Sequence, residues 1–545
     1  MCGMTKVNGT LSCETDQHLN GLLKEELGFP GMVYPDVNGQ STAFGSADGG
    51  LDFGSSTYWS NSTLIAGIAN GTFEQARLDD MAVRNVIAYY YVGLDDGKQP
   101  STADTTEYRD VRAEHAKLIR KVGADSLVLL KNDVSSGLGL PLSKPLSVSI
   151  FGAHAGPALA GPNRAFSVEG VGEAVYQGHL ASAGGSGQLS FSYLATPFQA
   201  LSLRAAADGT MFRWLMNDTY TSGSSLSSSS ATGGMPDSSS GNTTASATAG
   251  QGEPSGSSGN SSMSADAGAG GDATGGAVAG LGNLGSGTAI TPSFSGYATD
   301  SEVCIVFLNS DSGEGADRTE LANADQDTLV NTIASNCNNT VVVINTAGPR
   351  LVDQWIENDN ITAVVYGGFL GQESGNAIVD VLYGDVNPSG KLIHTLARNE
   401  SDYPVKICDT AVCNFDEGVY IDYRYFDAQN TSVRYPFGHG LSYTTFSYNS
   451  VSAETTDSTA LSGTYPTGQL ALGGISDLFD EVICVTFNLA NSGTVAGAEV
   501  AQLYVSYPTA AQQPVRQLRG FEKVFLQPNG TQTVTFSVRR RDVSF

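Results

Sequence analysis

Basic residues are scarce in this sequence, and it has no long apolar run. Lysine and arginine total 28 against 55 aspartates and glutamates in 545 residues, so the formal net charge at pH 7 is -27. Nucleic acids and anionic membrane surfaces bind clustered Lys and Arg, so we expect neither as a partner. Without a stretch of about 18 apolar residues, we also predict no membrane-spanning helix.

Signature motifs of several enzyme classes are also missing. The sequence has no HExxH helix, no GxSxG elbow and no Walker loop, which removes the simplest signs of zinc proteases, serine hydrolases and phosphate-loop enzymes. The acidic segment at 309–321 lacks the alternating aspartates and the later glutamate of an EF-hand. We therefore expect no metal and no organic cofactor.

The seven cysteines fall into two kinds of environment. Two pairs lie close in sequence within polar segments, and each is predicted to close a small disulfide loop: Cys2 with Cys13, and Cys408 with Cys413. The other three lie in or beside apolar, strand-like runs and are most simply interpreted as buried free thiols: Cys304, Cys337 and Cys484.

Asn-x-Ser/Thr sequons are frequent and include Asn61, Asn70, Asn338, Asn360, Asn399 and Asn529. Together with the predicted disulfides, they indicate a secreted, extracellular glycoprotein. The first residues, MCGMTKVNGT, have neither the charged segment nor the apolar core of a signal peptide. We therefore expect the amino-terminal part of the secreted protein to precede residue 1.

The first hundred residues show the rhythm of a (β/α)8 barrel. HLNGLLKEEL at 18–27 predicts an amphipathic helix that ends at Gly28, and GMVYPDV at 31–37 predicts a short apolar strand that ends in Asp36. Barrel enzymes repeat this order of helix, buried strand and polar strand end. Because only about two such units are present, we interpret 1–100 as the carboxyl-terminal remnant of a barrel.

A linker with one helix follows at 101–145. The helix is predicted from Tyr108 to Val122, and its apolar face is formed by Val111, His115, Leu118, Ile119 and Val122.

Residues 146–404 predict an α/β domain. Val- and Ile-rich strands at 146–154, 302–310, 340–348 and 361–369 alternate with helices at 324–336, 350–357 and 373–383. Continuous apolar strands separated by helices are typical of a mostly parallel sheet covered on both faces. The Ser-, Gly-, Ala- and Thr-rich stretch at 219–290 is predicted to be a disordered insertion in this domain.

Residues 405–545 predict a small antiparallel β-sandwich, because short alternating runs are separated by Gly, Asn and Pro turns. The clearest runs lie at 481–490, 498–507 and 531–538. The chain ends in RRRDVSF, within sequence of folded character, so we expect this domain to be incomplete.

Two carboxylates are the candidate catalytic residues. Asp36 ends an apolar strand, where barrel enzymes place catalytic groups, and Glu314 lies between Gly313 and Gly315 in a loop that follows a buried strand. Taken alone, Asp36 is also compatible with a turn or helix cap, and Glu314 with a solvated acidic loop or a cation site. Retaining sugar hydrolysis needs two such carboxylates about 5 Å apart.

Several motifs occur in a fixed order: GLLKEELGFPGMVYPDV, LLKNDVSSGLGLPL, SGEGADR, GGFLGQESGNAIVDVLYGDVNPSGKL and YPFGHGLSYTTF. Together they resemble glycoside hydrolase family 3, in its secreted fungal β-glucosidase type. The resemblance covers nearly the whole chain except the insertion, and it implies a barrel, an α/β sandwich domain and a fibronectin type III-like domain. It also implies that much of the barrel precedes residue 1, together with residues that hold the sugar.

By this resemblance Asp36 is the nucleophile and Glu314 the acid/base, with Glu320 in reserve. The implied activity is the retaining hydrolysis of terminal, non-reducing β-D-glucosyl residues, in glucan and cellulose degradation. Family members often have Trp directly after the nucleophile, whereas Val37 stands here, so the aglycone side is expected to differ. The alternatives are a β-xylosidase or another specificity of the family, and an inactive carbohydrate-binding protein.

Overall fold

The computed structural model describes residues 1–97, 110–135, 137–158, 161–163, 176–220, 292–408 and 410–545. Its first part combines a π-helix at Gln17–Glu26 with short strands β1 (Lys6–Val7) and β2 (Thr10–Leu11) and helices α1 (Phe44–Asp48), α2 (Asn61–Asn70) and α3 (Gln75–Tyr91). The helix predicted at 18–27 is therefore present. In the parts that the structure describes, no helix is long and apolar enough to cross a lipid bilayer.

The segment before Asp36 is extended, but the prediction of a regular strand at 31–37 was wrong. Its pairing is an isolated parallel bridge between Cys2 and Pro35, and the N–H groups of Asp52 and Phe53 both donate to the carbonyl of Val33. Pro35 has no N–H to donate, so the ladder of hydrogen bonds between strands cannot continue at this residue. The segment is held between two neighbouring stretches of chain without forming a continuous strand.

A buried charge cluster fixes the first part internally. One oxygen of Asp52 accepts hydrogen bonds from Lys24 Nζ at 2.8 Å and from an Arg77 guanidinium nitrogen at 2.7 Å, and its other oxygen accepts from the N–H of Val33 at 2.8 Å. Burial is the main cause that lowers the pKa of Lys24, and Asp52 opposes it. The cluster ties the extended segment to the π-helix and to α3.

Helix α4 spans His115–Ser126, so it ends later than predicted, and the described residues 110–114 of the predicted helix are not helical. The predicted start at Tyr108 lies outside the described residues. Its fully buried residues are Gly123 and Ala124, whereas Leu118 and Val122 of the predicted face are exposed. A Cβ on Gly123 would lie 3.0 Å from the Cβ of Ala377. Small residues that allow close approach therefore select the packed face, which the apolar periodicity did not identify.

The α/β domain is built on a six-stranded sheet in the order β3-β8-β7-β6-β4-β5. Strand β3 pairs antiparallel with β8, and the other pairs are parallel, which confirms a mostly parallel sheet. In chain order its elements are β3 (Val128–Asn132), β4 (Ser147–Phe151), α5 (Pro197–Asp208), β5 (Met211–Leu215), α6 (Phe294–Thr299), β6 (Val303–Ser310), α7 (Ala324–Ala334), β7 (Thr340–Thr346), β8 (Ile361–Gly367) and α8 (Ser374–Leu382).

Both faces of this sheet are covered, as its sequence pattern predicts. Every residue of β6, β7 and β8 is buried, and two hydrophobic clusters fill the space on the two sides. Helices α7 and α8 confirm two of the three predicted helices. The third, at 350–357, was wrong: these residues form turns, with Arg350 and Trp355 buried and both bonded to Asp327.

Most of the predicted insertion lies outside the described residues, which resume at 292 after Tyr220. The two flanks of this gap are close in space. The rings of Tyr220 and Phe294 are 6.1 Å apart in an edge-on contact, and both pack against the same hydrophobic cluster of the sheet.

Three disulfides are present. Cys2–Cys13 and Cys408–Cys413 confirm two predictions. The prediction of free thiols at Cys304 and Cys337 was wrong, because these residues form a third disulfide. Cys304 lies at the start of β6 and Cys337 just before β7, and the two parallel strands begin side by side. Cys484 is free and half-buried.

After helix α9 (Tyr423–Gln429), the chain forms the predicted β-sandwich. One sheet has the order β15-β12-β9 and the other pairs β13 with β14, around a core that includes Phe487 and Phe536. The bounds are β9 (Phe446–Thr455), β10 (Leu470–Ala471), β11 (Gly474–Ile475), β12 (Glu481–Asn491), β13 (Gly497–Ser506), β14 (Arg516–Leu526) and β15 (Thr531–Arg539). The first sandwich strand thus begins at Phe446, and the predicted domain limits stay predictions.

Candidate active site

The carboxyl ends of β4 and β6 lie where the sheet connections reverse direction. From β4 the chain runs outward to the edge strand β5, whereas β6, β7 and β8 follow on the other side of β4. In open parallel sheets, the crevice outside the strand ends at such a reversal is the usual ligand site. The loop that follows β6 carries Glu314, so the fold places this carboxylate beside the crevice.

The loop of Glu314 forms a tight turn against a second segment. The N–H of Gly313 donates to the carbonyl of Ala316, and the N–H of Ala316 donates back to Gly313. Gly184 forms a parallel bridge with Gly313, and both the N–H and the hydroxyl of Ser186 donate to Oε2 of Glu314. The hydroxyl bond is the first cause that lowers the pKa of Glu314, and the N–H bond adds to it.

The base of the same loop is anchored to the sheet. The guanidinium of Arg318 donates to the carbonyl of Pro349 at 2.6 Å, beyond the end of β7. Burial lowers the pKa of Arg318 from its usual value. Glu320, the reserve candidate, lies half-buried beyond this anchor, whereas Glu314 is exposed at the tip.

Asp36 begins a turn at the end of its extended segment. The N–H of Asp36 donates to the carbonyl of Cys2, the N–H of Gly39 donates to the carbonyl of Asp36, and Asn38 has a φ of 61°. Oδ1 of Asp36 accepts from the N–H of Val37 at 2.7 Å. The turn leaves the Asp36 carboxylate half-buried at a pocket wall, while the Val37 side chain is 75% exposed.

This pocket has a volume of about 540 Å³ and is open to solvent. Tyr34, Phe53 and Tyr58 line it, together with amide and hydroxyl side chains: Asn38, Gln40, Ser41, Ser55 and Thr57. Aromatic rings with a few polar groups are the usual lining of a small-molecule site. Sequence reasoning missed these residues, although Tyr34 is two residues before Asp36 and shares its face of an extended segment.

Gln40 closes one wall of the pocket. Its Oε1 accepts from the N–H of Ser55 at 2.7 Å, and its Nε2 donates to the carbonyl of Thr42 at 3.2 Å. A Cβ at Gly54 would lie 2.3 Å from Oε1 of Gln40, so the wall can approach this closely only with glycine there. The wall is therefore held by a buried amide, independent of any ligand.

The two candidate carboxylates lie in separate environments. The residues that line the pocket of Asp36 belong to 34–58, and those bonded to Glu314 belong to 184–186. No residue is common to these two sets. Each carboxylate is thus held in place by residues from its own part of the chain.

Two buried histidines lie next to each other just beyond the end of β4, and sequence reasoning assigned them no role. The rings of His154 and His179 are 4.4 Å apart. His154 Nε2 lies 2.9 Å from Oδ1 of Asn345, and His179 Nε2 lies 2.7 Å from Oγ of Ser374. Burial lowers the pKa of His154 to about 4, and burial together with His154 lowers the pKa of His179 well below its usual value. Both are therefore neutral, interior hydrogen-bonding groups.

Two family models match the chain. The glycosyl hydrolase family 3 C-terminal domain matches residues 127–443, which is more than half of the chain, and the fibronectin type III-like domain matches 499–545. The first range contains the six-stranded sheet and the Glu314 loop, and the second contains β14, β15 and most of β13.

Curated proteins and solved structures are similar over nearly the whole chain. Probable beta-glucosidase D of Aspergillus niger is 55% identical over all of this chain and 64% of its own length. Probable beta-glucosidase N of Emericella nidulans is 37% identical over all of this chain and 77% of its own. This chain thus spans slightly less than two thirds of the first of these relatives.

Among solved structures, beta-glucosidase D2-BGL from Chaetomella raphigera superposes with a TM-score of 0.78 at 34% identity, over 98% of this chain and 66% of its own. The beta-D-glucoside glucohydrolase from Trichoderma reesei superposes with a TM-score of 0.77 at 32% identity, with the same coverage. The family models, the curated relatives and the shared fold agree, and the chain belongs to glycoside hydrolase family 3.

Proposed function

We propose that this chain contributes to a retaining β-glucosidase that releases terminal, non-reducing β-D-glucosyl residues. The observation that carries the proposal is Asp36, whose carboxylate lines an open pocket with aromatic and amide walls. A carboxylate in such a pocket suits attack on a bound sugar ring, because the rings pack on its apolar face while amides and hydroxyls bind its hydroxyl groups. The similar proteins named as β-glucosidases support this choice of sugar.

In the proposed mechanism Asp36 attacks the anomeric carbon and forms a covalent glycosyl-enzyme. Glu314 protonates the leaving oxygen in this step and then removes a proton from water in the second step. Two inversions at the same carbon retain its configuration. Because Asp36 and Glu314 belong to different parts of the chain, turnover depends on how closely those parts bring the two carboxylates together around the sugar.

The aglycone side of the pocket is proposed to be open. Val37 stands directly after Asp36 and is 75% exposed, so its short side chain does not cover the pocket as a large aromatic ring would. We therefore expect tolerance of varied aglycones, from aryl groups to a second glucose, with little discrimination between them.

We also propose that the protein is an extracellular glycoprotein. Three disulfides are present, and stable disulfides are typical of secreted proteins. The sequon asparagines at several positions are exposed, which glycosylation requires: Asn61, Asn70, Asn338, Asn399 and Asn529.

The test is hydrolysis of 4-nitrophenyl β-D-glucoside at about pH 5 by this chain, beside its Asp36→Asn variant. Asp79→Asn is the matched control, because Asp79 is an exposed carboxylate on α3 outside the pocket. We expect turnover in the chain and the control and only background in Asp36→Asn. A 2-deoxy-2-fluoro-β-D-glucoside with an activated leaving group should label Asp36, as peptide mass spectrometry would show.

Two results would contradict the proposal. One is a folded chain that binds glucosides without turnover, which would favour a carbohydrate-binding protein. The other is undiminished turnover in Asp36→Asn, which would place the nucleophile elsewhere.

A further inference from the structure

The segment Gly184–Ser186, here named the clasp, is shaped to receive the turn that carries Glu314. Gly185 has a φ of +101°, which L side chains rarely adopt. A Cβ there would lie 2.6 Å from the Cβ of Glu314, closer than such atoms approach. With the bridge between Gly184 and Gly313, the two glycines let the clasp backbone lie directly against the Glu314 side chain.

Both hydrogen bonds from the clasp go to the same carboxylate oxygen. The N–H of Ser186 donates to Oε2 of Glu314 at 2.8 Å, and the Ser186 hydroxyl donates to the same atom. Among the residues that the structure describes, no hydrogen bond to Oε1 is recorded, and the residue is exposed. One oxygen is thus fixed and the other is accessible.

We propose that Ser186 is a positioning residue for the acid/base carboxylate: it holds Oε2 of Glu314 and so presents Oε1 to the glycosidic oxygen. This inference rests on the proposed function. In the first step the proton on Oε1 passes to the leaving oxygen as the glycosidic bond breaks, and the clasp stabilises the resulting carboxylate. In the second step Oε1 takes a proton from the attacking water, and Oε2 stays bound.

The clasp also sets the ionisation of Glu314. Its two hydrogen bonds favour the charged form and lower the pKa of the carboxyl, opposed by slight desolvation. The segments packed against one another here, 184–186 and 312–316, contain no titratable side chain other than Glu314 itself. Asp311, Asp317 and Arg318 flank the turn on the same loop, but the pKa of Glu314 is set by the two Ser186 bonds and by desolvation. Loss of the Ser186 hydroxyl should therefore raise this pKa.

The test compares Ser186→Ala with Ser186→Thr and Ser182→Ala. The threonine keeps the hydroxyl and the N–H, whereas the alanine keeps only the N–H. Ser182 lies in the same loop, where its hydroxyl accepts from the N–H of Leu189 at 3.2 Å, and it does not touch Glu314. Each variant is assayed for kcat/KM against pH with two substrates, methyl β-D-glucoside and 2,4-dinitrophenyl β-D-glucoside.

For Ser186→Ala we expect the basic limb of the pH profile to move to higher pH and the acidic limb to stay. We also expect about tenfold lower kcat/KM for the methyl glucoside, because its leaving group needs a well-placed acid, and less than about twofold loss for the dinitrophenyl glucoside. Ser186→Thr and Ser182→Ala should behave as the unaltered chain. An unmoved basic limb, or equal loss on both substrates, would overturn the inference.

A second measurement needs no turnover. Carbon-13 NMR titration of the side-chain carboxyl of Glu314, assigned by its loss in Glu314→Gln, should show a higher pKa in Ser186→Ala than in the unaltered chain. If neither protein hydrolyses any glucoside, the proposed function fails, while this titration still decides whether the clasp controls the carboxyl. An identical pKa in the two proteins would refute that control.

Discussion

Acidification from pH 7 to pH 4 is expected to destabilise the α/β domain through His154. This side chain is 1% exposed, and burial lowers its pKa in the folded protein to about 4. In the unfolded chain its pKa returns to about 6.5. Between these values the unfolded state binds a proton that the folded state does not, so stability falls as the pH falls through this range.

The magnitude follows from the two pKa values. The difference between 6.5 and about 4 corresponds to about 3 kcal/mol, at about 1.4 kcal/mol for each pKa unit. The loss begins below pH 6.5 and is complete near pH 4. His179 acts in the same direction, because burial and the neighbouring His154 also lower its pKa. Carboxylates whose pKa is lowered lose their stabilising contribution only below about pH 4, outside this range.

The assay is urea unfolding between pH 7 and pH 4, followed by the emission of Trp355, which is buried in the α/β core. Trp59 and Trp214 would be replaced by phenylalanine so that one domain is observed. The perturbation is His154→Asn, which removes the titrating group, and His115→Asn on the exposed surface of α4 is the control. Between pH 7 and pH 4, we expect the unfolding free energy of the parent protein, which keeps His154, to fall by about 3 kcal/mol more than that of the His154→Asn variant.

Parallel pH dependence in the His154→Asn variant and its parent would refute this reasoning. It would show that His154 is protonated with little cost in the folded protein, because water or a neighbouring group compensates its charge. A decrease that begins only close to pH 4 would assign the loss to carboxylates instead.

Three further predictions concern the supports of the fold. Replacing both Cys304 and Cys337 by alanine should lower the unfolding free energy by about 4 kcal/mol in urea, because their disulfide closes a loop across a sequence separation of 33 residues. Asp52→Ala should destabilise the first part of the chain by about 3–5 kcal/mol in urea unfolding followed by the emission of Trp59, which packs in that part, since the change leaves Lys24 buried without its carboxylate. Glycopeptide mass spectrometry of protein from a fungal host should find no glycan on Asn360, whose amide donates to a buried carbonyl at 2.8 Å; a glycan there would contradict the structure.

The α/β sheet was predictable because its strands are buried on both faces. A strand covered on both sides needs apolar residues at nearly every position, and β6, β7 and β8 have this pattern, with polar residues only near their ends. Strand β5 was missed because it lies at the sheet edge, where Phe212 and Trp214 alternate with Arg213 in a pattern that is not uniformly apolar. The segment 350–357 was predicted as a helix because it contains apolar residues such as Trp355 and Ile356. Their side chains are buried in the core, but here turns and not a helix place them there.

Of the candidate site, the sequence points only to the two carboxylates, and their catalytic roles stay predictions. Their neighbours Gly28–Asp36 and 312–318 carry local motifs, so Asp36 and Glu314 can be singled out within short windows. Ser186 cannot, because it meets Glu314 from 128 residues away along the chain. The Cys304–Cys337 bond was missed for the same reason: parallel pairing, not sequence proximity, brings the two sulfurs together.

The contact between Tyr220 and Phe294 has a consequence for how this protein can be changed. The ring centroids are 6.1 Å apart, so the described residues on the two sides of 221–291 lie close together. When the ends of a loop are already joined, doubling its length costs only about 0.6 kcal/mol. This position should therefore accept foreign sequence, such as a fluorescent reporter or a cellulose-binding module, while the sheet and its strand order stay the same.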